Sequence, residues 1–266
     1  MPRLGPTLLS LALAGVLTLA AYADPVLVAV VVVLVQVLVA LAPALVSTTG
    51  AAIESPRRVP AIAGGLVATA VTLHPDLLEG AAGTSADVIG ATDTGSYAGL
   101  LPGVAVAVFV ALVAQMLRTD GRTRLVESVA YAVGLSVCAA LAVGWIGAVQ
   151  SLGDSTCVAV GAAGVAAGLV AWSLPIDRWL CLSLATVAGA AGGAAVVLAV
   201  DSIMTVYFGL LVGAAAALFA VLGQVVARAM AGTGTHPAAA WGFPGAMSIA
   251  LAAPVVYLGG QLVTLA

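Results

Sequence analysis

The sequence predicts an all-α fold: a polytopic transmembrane helical bundle of about nine spans, N-terminus inside and C-terminus outside. Three observations lead there. Of 266 residues, 63% are hydrophobic and only 7% are charged, whereas a soluble domain carries about 25% charged residues to cover its surface. The apolar runs are continuous rather than alternating, which fits helices and not a β-barrel. Every arginine falls on one side of the resulting topology. The whole chain, residues 1–266, reads as a single integral membrane domain.

Hydropathy places the spans at Pro6–Ala23, Val26–Val46, Val59–His74, Leu100–Leu117, Leu125–Ala148, Cys157–Leu174, Leu180–Val200, Met204–Val226 and Gly245–Thr264. Each approaches the roughly 20 residues that cross a bilayer. The third is the shortest, and losing it would reverse the sidedness of everything after it. Arg3 precedes the first span. Arg57 and Arg58 follow the second, Arg118, Arg122 and Arg124 the fourth, Arg178 the sixth and Arg228 the eighth. The opposite side holds Asp24, Asp76, Glu79, Asp87, Asp93, Asp154 and Asp201. Basic residues are retained in cytoplasmic loops, so the arginine side is inside and the expected location is the cell (plasma) membrane.

Local signals support individual boundaries. In Asp24-Pro25 the aspartate is suited to cap the second helix and the proline to occupy its first turn. Aromatic rings favour the membrane interfaces. Trp172, Trp179, Trp241 and Phe243 are expected at the inner one, and Tyr22, Tyr97, Tyr207 and Trp145 near the outer one. Two loops are long: an acidic outer one at 76–99 and an inner one at 229–244 that carries His236. Ala21-Tyr22-Ala23 also matches the small-x-small pattern of a signal-peptidase site. The preferred reading keeps the first span; cleavage after Ala23 would leave eight spans and an outside N-terminus.

Two patterns concern packing. Gly164/Gly168, Gly189/Gly193 and Gly209/Gly213 are GxxxG pairs in three successive spans and predict a tightly packed core from spans six to eight. Spans five–six and seven–eight both turn at an outer Asp-Ser pair, Asp154-Ser155 and Asp201-Ser202, which raises an internal repeat as a candidate. Similar hairpins also arise by default in low-complexity helices, and that is the favoured reading. The three cysteines, Cys138, Cys157 and Cys181, fall at different depths, so no disulfide is expected.

The chain has no Lys and no Asn, and Ala, Val, Gly and Leu dominate. In this composition it resembles the many uncharacterised multi-pass integral membrane proteins of high-GC actinobacteria. The resemblance covers the whole chain, rests on no motif and implies no residue role.

Candidate functional residues are few. None of the nine spans holds Asp, Glu, Lys or Arg in its centre, which disfavours proton pumps, voltage sensors and many ion-coupled transporters. Gln36 lies near the middle of span two and is the best candidate for a buried interhelical contact. Gln115, Gln150, Gln224 and Gln261 lie near span ends. Pro254 falls near the centre of span nine, where it frees a backbone carbonyl and kinks the helix. His74, Asp76 and Glu79 sit together at the outer end of span three, where they form a candidate metal or acid–base cluster, although a solvated helix end is the more ordinary reading. There is no phosphate loop, nucleophile elbow, zinc-protease motif or basic nucleic-acid patch. No cofactor, catalytic residue or nucleic-acid partner is expected.

Three functions follow in order of preference. The first is a non-enzymatic scaffold or accessory component of the cell envelope, with membrane proteins or a second copy as partners in the lipid bilayer. The second is a transporter or flippase for a neutral or lipid-like substrate, using Gln36 and Pro254. The third is a lipid-modifying membrane enzyme built on His74 with Asp76 or Glu79.

Overall fold

The computed structural model describes residues 4–46, 52–53, 56–74, 77, 97–118, 124–150, 154–200, 204–231 and 237–262. Among the described residues the regular structure is helical apart from a two-residue antiparallel ladder. The helices are α1 (Leu4–Ala23), α2 (Pro25–Ala40), α3 (Arg58–Leu73), α4 (Leu100–Met116), α5 (Leu125–Leu141), α6 (Gly144–Val149), α7 (Asp154–Trp172), α8 (Arg178–Ala199), α9 (Val206–Ala231) and α10 (Pro237–Leu262). Strands β1 (Leu45–Val46) and β2 (Ala52–Ile53) pair between α2 and α3.

Among the described residues, six stretches are long and apolar enough to cross a membrane: α1, the α5–α6 unit from Leu125 to Val149, α7, α8, α9 and the part of α10 from Trp241 to Leu262. Helices α2, α3 and α4 are shorter, at 16, 16 and 17 residues. All three are apolar, and apart from Arg58 at the start of α3 their outward side chains are apolar too. Val30 and Leu34 on α2, Leu66 on α3, and Leu101, Phe109 and Met116 on α4 are all exposed. Water would be a poor solvent for such a face, and lipid is a good one.

The helices form two groups joined by a central set. On one side α3, α4 and α5 pack together, with α2 against α3; on the other, α7, α8 and α9 pack along one another. Helix α10 touches α9, α1, α6, α2 and α7, and α1 lies against α7, α10 and α2. Leu17 and Ser10 of α1 are completely buried, and the Ser10 hydroxyl donates to the Gly245 carbonyl at 3.0 Å. Removing α1 would therefore open the centre of the bundle.

The α7–α8–α9 junction is built on the three glycine pairs. A Cβ on Gly164 would lie 2.6 Å from the Gly213 Cα, and one on Gly213 would lie 3.0 Å from the Gly193 Cα. A Cβ on Gly189 would lie 2.8 Å from the Gly213 carbonyl oxygen. Backbone thus meets backbone among three helices, as the spacing predicts, and dispersion between close-packed atoms holds them. A second junction of the same kind joins α3 to α4. There, a Cβ on Gly64 would meet Ala107 at 2.6 Å and one on Gly103 would meet Ala68 at 2.6 Å.

Several boundaries differ from the hydropathy spans. Helix α2 stops at Ala40 instead of Val46, because Pro43 disfavours helical backbone in the residue before it and supplies no N–H. Its start is as expected: the Asp24 carboxylate accepts from the Val26 N–H at 2.6 Å, with Pro25 in the first turn. The expected span Leu125–Ala148 is interrupted between α5 and α6. Its backbone tightens there to i→i−3 bonds from Ala142, Val143, Trp145 and Ile146. Helix α10 begins at Pro237, so Trp241 and Phe243 belong to the helix and not to an inner loop. His236 lies outside the described residues.

The aromatic belt is only partly as expected. Tyr22, Tyr207, Trp179 and Trp241 are exposed, whereas Trp145 and Phe243 are almost wholly buried and Tyr97 packs against the core. Burial suits the indole and phenol because each finds an acceptor inside, as described below. The three cysteines are free. The two candidate repeat hairpins are not packed alike: α8 lies along α9, whereas α7 touches the α5–α6 unit mainly through the short α6. Asp201 and Ser202 lie outside the described residues.

Candidate functional site

Gln36 is buried at the contact between α2 and α3. Its Nε2 donates to the Thr69 Oγ1 at 3.0 Å, and the same hydroxyl lies 3.3 Å from the Gln36 Oε1. The room for the amide comes from Gly65, where a Cβ would lie 2.9 Å from the Gln36 Cδ. The pair is thus a polar clasp between two helices. Such interhelical bonds average about 0.6 kcal/mol and reach about 1.7 kcal/mol in lipid. A double-mutant cycle on Gln36→Leu and Thr69→Val is expected to give a coupling energy in that range, read from unfolding midpoints in detergent. A coupling near zero would mean that the contact does not hold the helices.

Pro254 lies inside α10, together with Pro244. A proline removes one helical N–H and opens the carbonyl four residues before it, which for Pro254 is that of Ala250. Side chains donate to other carbonyls along the same helix. The Trp145 Nε1–H donates to the Ile249 carbonyl at 2.9 Å, and the Cys157 thiol to the Val256 carbonyl at 3.2 Å. The Ser248 hydroxyl donates to the Pro244 carbonyl at 3.0 Å. The opposing break between α5 and α6 is closed in the same way: the Tyr97 hydroxyl donates to the Leu141 carbonyl at 2.6 Å. Burial pushes the Tyr97 hydroxyl well above the ordinary phenol range, with the neighbouring Tyr257 adding to the shift, so it acts as a hydrogen-bond donor at neutral pH. The Tyr97 and Tyr257 rings lie 4.5 Å apart. Gly144 is needed here, since a Cβ would lie 2.6 Å from the Ala253 carbonyl oxygen. The broken α5–α6 unit and the proline-containing α10 thus pack closely together.

His74 follows the last residue of α3 and is exposed. Asp76 and Glu79, its expected partners, lie outside the described residues. Among the described residues there is no group of three or more His, Cys, Asp or Glu that could hold a metal ion.

Several arginines make hydrogen bonds near helix ends. The Arg57 Nε–H donates to the Ala42 carbonyl at 2.8 Å, just beyond the end of α2, and burial lowers its pKa from the ordinary arginine value. Near it the Tyr131 hydroxyl donates to the Pro43 carbonyl at 2.7 Å. The Gln115 Nε2 donates to the Ser128 Oγ at 2.6 Å, joining α4 to α5, while the Arg118 Nη1 donates to the Gln115 Oε1 at 2.8 Å. Arg124 pairs with Glu127 at 3.3 Å; both are solvated, and the pair adds little stability.

One concavity was missed by sequence reasoning. It has a volume of about 610 Å³ and opens where α7 ends, α8 begins and α9 nears its end. Trp172, Arg178, Trp179, Leu182, Val225 and Arg228 line it. Two features fix its shape. The Asp177 carboxylate caps α8 by accepting from the Trp179 N–H at 3.0 Å. The buried Cys181 thiol approaches the Leu174 carbonyl at 3.4 Å, which ties the α7–α8 turn to α8. The Arg228 Nη2 donates to the buried Gln224 Oε1 at 3.0 Å, which orients the guanidinium. Tryptophans and arginines were separately expected at this interface, but their convergence depends on three helices whose ends are far apart in sequence.

No family model, curated protein or solved structure matches the chain.

Proposed function

We propose that the protein is a non-enzymatic scaffold or accessory component of a cell-envelope system. In this reading it crosses the plasma membrane nine times, with its N-terminus inside. The observation that supports it most is the use of interior polar groups for joining helices. Gln36 is bonded to Thr69, Ser10 to Gly245, Trp145 to Ile249 and Gln115 to Ser128. A transport site in a broken helix would leave backbone polar groups facing a cavity. Here the Leu141 carbonyl, at the break between α5 and α6, instead accepts from Tyr97.

The short helices α2, α3 and α4 support nine crossings because they pack side by side with the long ones and expose apolar faces of the same kind. A 16-residue helix rises about 24 Å, against a hydrocarbon core of about 30 Å. A bilayer accommodates that difference by local thinning.

The test is purification in a mild detergent followed by native mass spectrometry. The scaffold reading expects one protein partner at fixed stoichiometry, retained in a second detergent. A protein that runs alone and moves a neutral solute or lipid across proteoliposomes would replace this reading with the transport one.

A further inference from the structure

We propose that the concavity at the ends of α7, α8 and α9 is a binding site for the phosphate headgroup of an anionic phospholipid. Its lining divides into two kinds. Arg178 and Arg228 bring two positive charges to one opening, and among the described residues no carboxylate lines it. The nearby Asp177 carboxylate is turned to the α8 backbone as its cap. Guanidinium groups present forked N–H donors that match phosphate oxygens. Leu182 and Val225 lie one turn or so deeper along α8 and α9 and supply the apolar wall that an ester-linked chain needs.

The position fits the same occupant. All three helices are long and apolar enough to cross a membrane, so their ends lie at headgroup depth. Trp179 is 79% exposed and Leu180 is 63% exposed beside the opening, a pairing suited to the interface between headgroups and chains. Basic pockets between transmembrane helices are a recurring way to hold acidic lipid headgroups. The volume of about 610 Å³ admits a headgroup with its glycerol and the upper parts of its chains. Pre-ordering helps: the Arg228–Gln224 bond orients one guanidinium before a lipid arrives, and the Cys181 contact ties the turn from which Arg178 projects. A lipid there would also bridge α8 and α9 at the end opposite the tight Gly193–Gly209 approach.

The inference rests on the membrane reading but not on sidedness, since it is tested in detergent micelles. Phosphatidylglycerol and phosphatidylcholine are titrated onto the purified full chain and bound lipid is counted by native mass spectrometry. A single surface arginine contributes about fivefold to binding an acidic lipid, so two give about thirtyfold. Phosphatidylglycerol is therefore expected to bind the wild type about thirtyfold more tightly than phosphatidylcholine does. The double variant Arg178→Gln/Arg228→Gln is expected to lose that preference, Arg178→Lys/Arg228→Lys to keep part of it, and Arg118→Gln, outside the groove, to keep all of it. Should the double variant fail to fold, Arg178→Gln alone, at an exposed position, is expected to lose about fivefold. Equal binding of the two lipids, or an Arg178→Gln variant with unchanged preference, would overturn the proposal. So would displacement of phosphatidylglycerol by millimolar inorganic phosphate, which would make free phosphate the ligand.

Discussion

Gly213→Leu is expected to destabilise the bundle by at least about 3 kcal/mol, whereas Gly134→Ala is expected to leave it unchanged or up to about 1 kcal/mol more stable. The difference lies in what each side chain would meet. At Gly213 the neighbours are the Gly193 Cα and backbone nitrogen, at 3.0 and 3.1 Å from an added Cβ, together with the Gly189 carbonyl. These are backbone atoms of α8 and cannot rotate away. Three helices would have to separate, with loss of the close contacts that substitute for a hydrophobic driving force in lipid. At Gly134, on α5, nothing lies within 4 Å of an added Cβ. Alanine there removes some of glycine's backbone freedom without a clash. Thermal unfolding of both variants in one detergent, followed by tryptophan fluorescence, checks the pair. Equal midpoints would show that α7, α8 and α9 do not meet as described.

Trp145→Ala is expected to cost about 3–5 kcal/mol, near the upper end for a single buried residue. Trp145 heads the fully buried large side chains and sits in the short helix α6 facing α10. Its removal leaves a cavity and also strips the Ile249 carbonyl of its 2.9 Å side-chain donor, five residues before Pro254. Trp145→Phe separates the two effects, since it keeps most of the volume but removes the N–H. That variant is expected to cost about 0.5–1.5 kcal/mol, the net contribution of one hydrogen bond, because the Ile249 carbonyl also lies within a continuous helix. Unfolding midpoints in the same detergent give both numbers. A Phe variant as stable as the wild type would mean that the carbonyl does not depend on Trp145.

Local patterns carried far enough to be read from the sequence. The GxxxG pairs are i, i+4 spacings within single helices, so each presents a flat stripe whatever its partner, and the stripes do meet. Gln36 stood out because a primary amide amid valines needs an acceptor nearby, and Thr69 provides it. The Asp24-Pro25 helix start is equally local. What escaped is set by contacts between distant segments. Trp145 was assigned to an interface because hydropathy gives depth along a helix but not the direction a ring faces. The pause between α5 and α6 depends on Tyr97 and Ala253 and has no signature in its own residues. Pro43 did hold the signal that ends α2, but the apolar run through Val46 masked it. The Gly64–Gly103 approach mixes glycine with alanine in a chain of 31 glycines, so its spacing was lost among many like it. The Arg178–Arg228 groove joins the start of α8 to the end of α9, which sequence spacing alone does not bring together.

The parity of the crossings is the point on which the account depends most, because nine spans put the termini on opposite sides and six or eight put them on the same side. The most direct measurement is a pair of fusions after Ala266, one to a reporter active only outside the cytoplasm and one to a fluorescent protein that matures only within it. Matching fusions at 119–123, between α4 and α5, report the side reached after the first four helices. The account predicts an active outer reporter and a dark fluorescent protein after Ala266, with the reverse at 119–123. Fluorescence after Ala266 together with an active outer reporter at 119–123 would contradict nine crossings and, with them, the assignment of α2, α3 and α4 to the membrane.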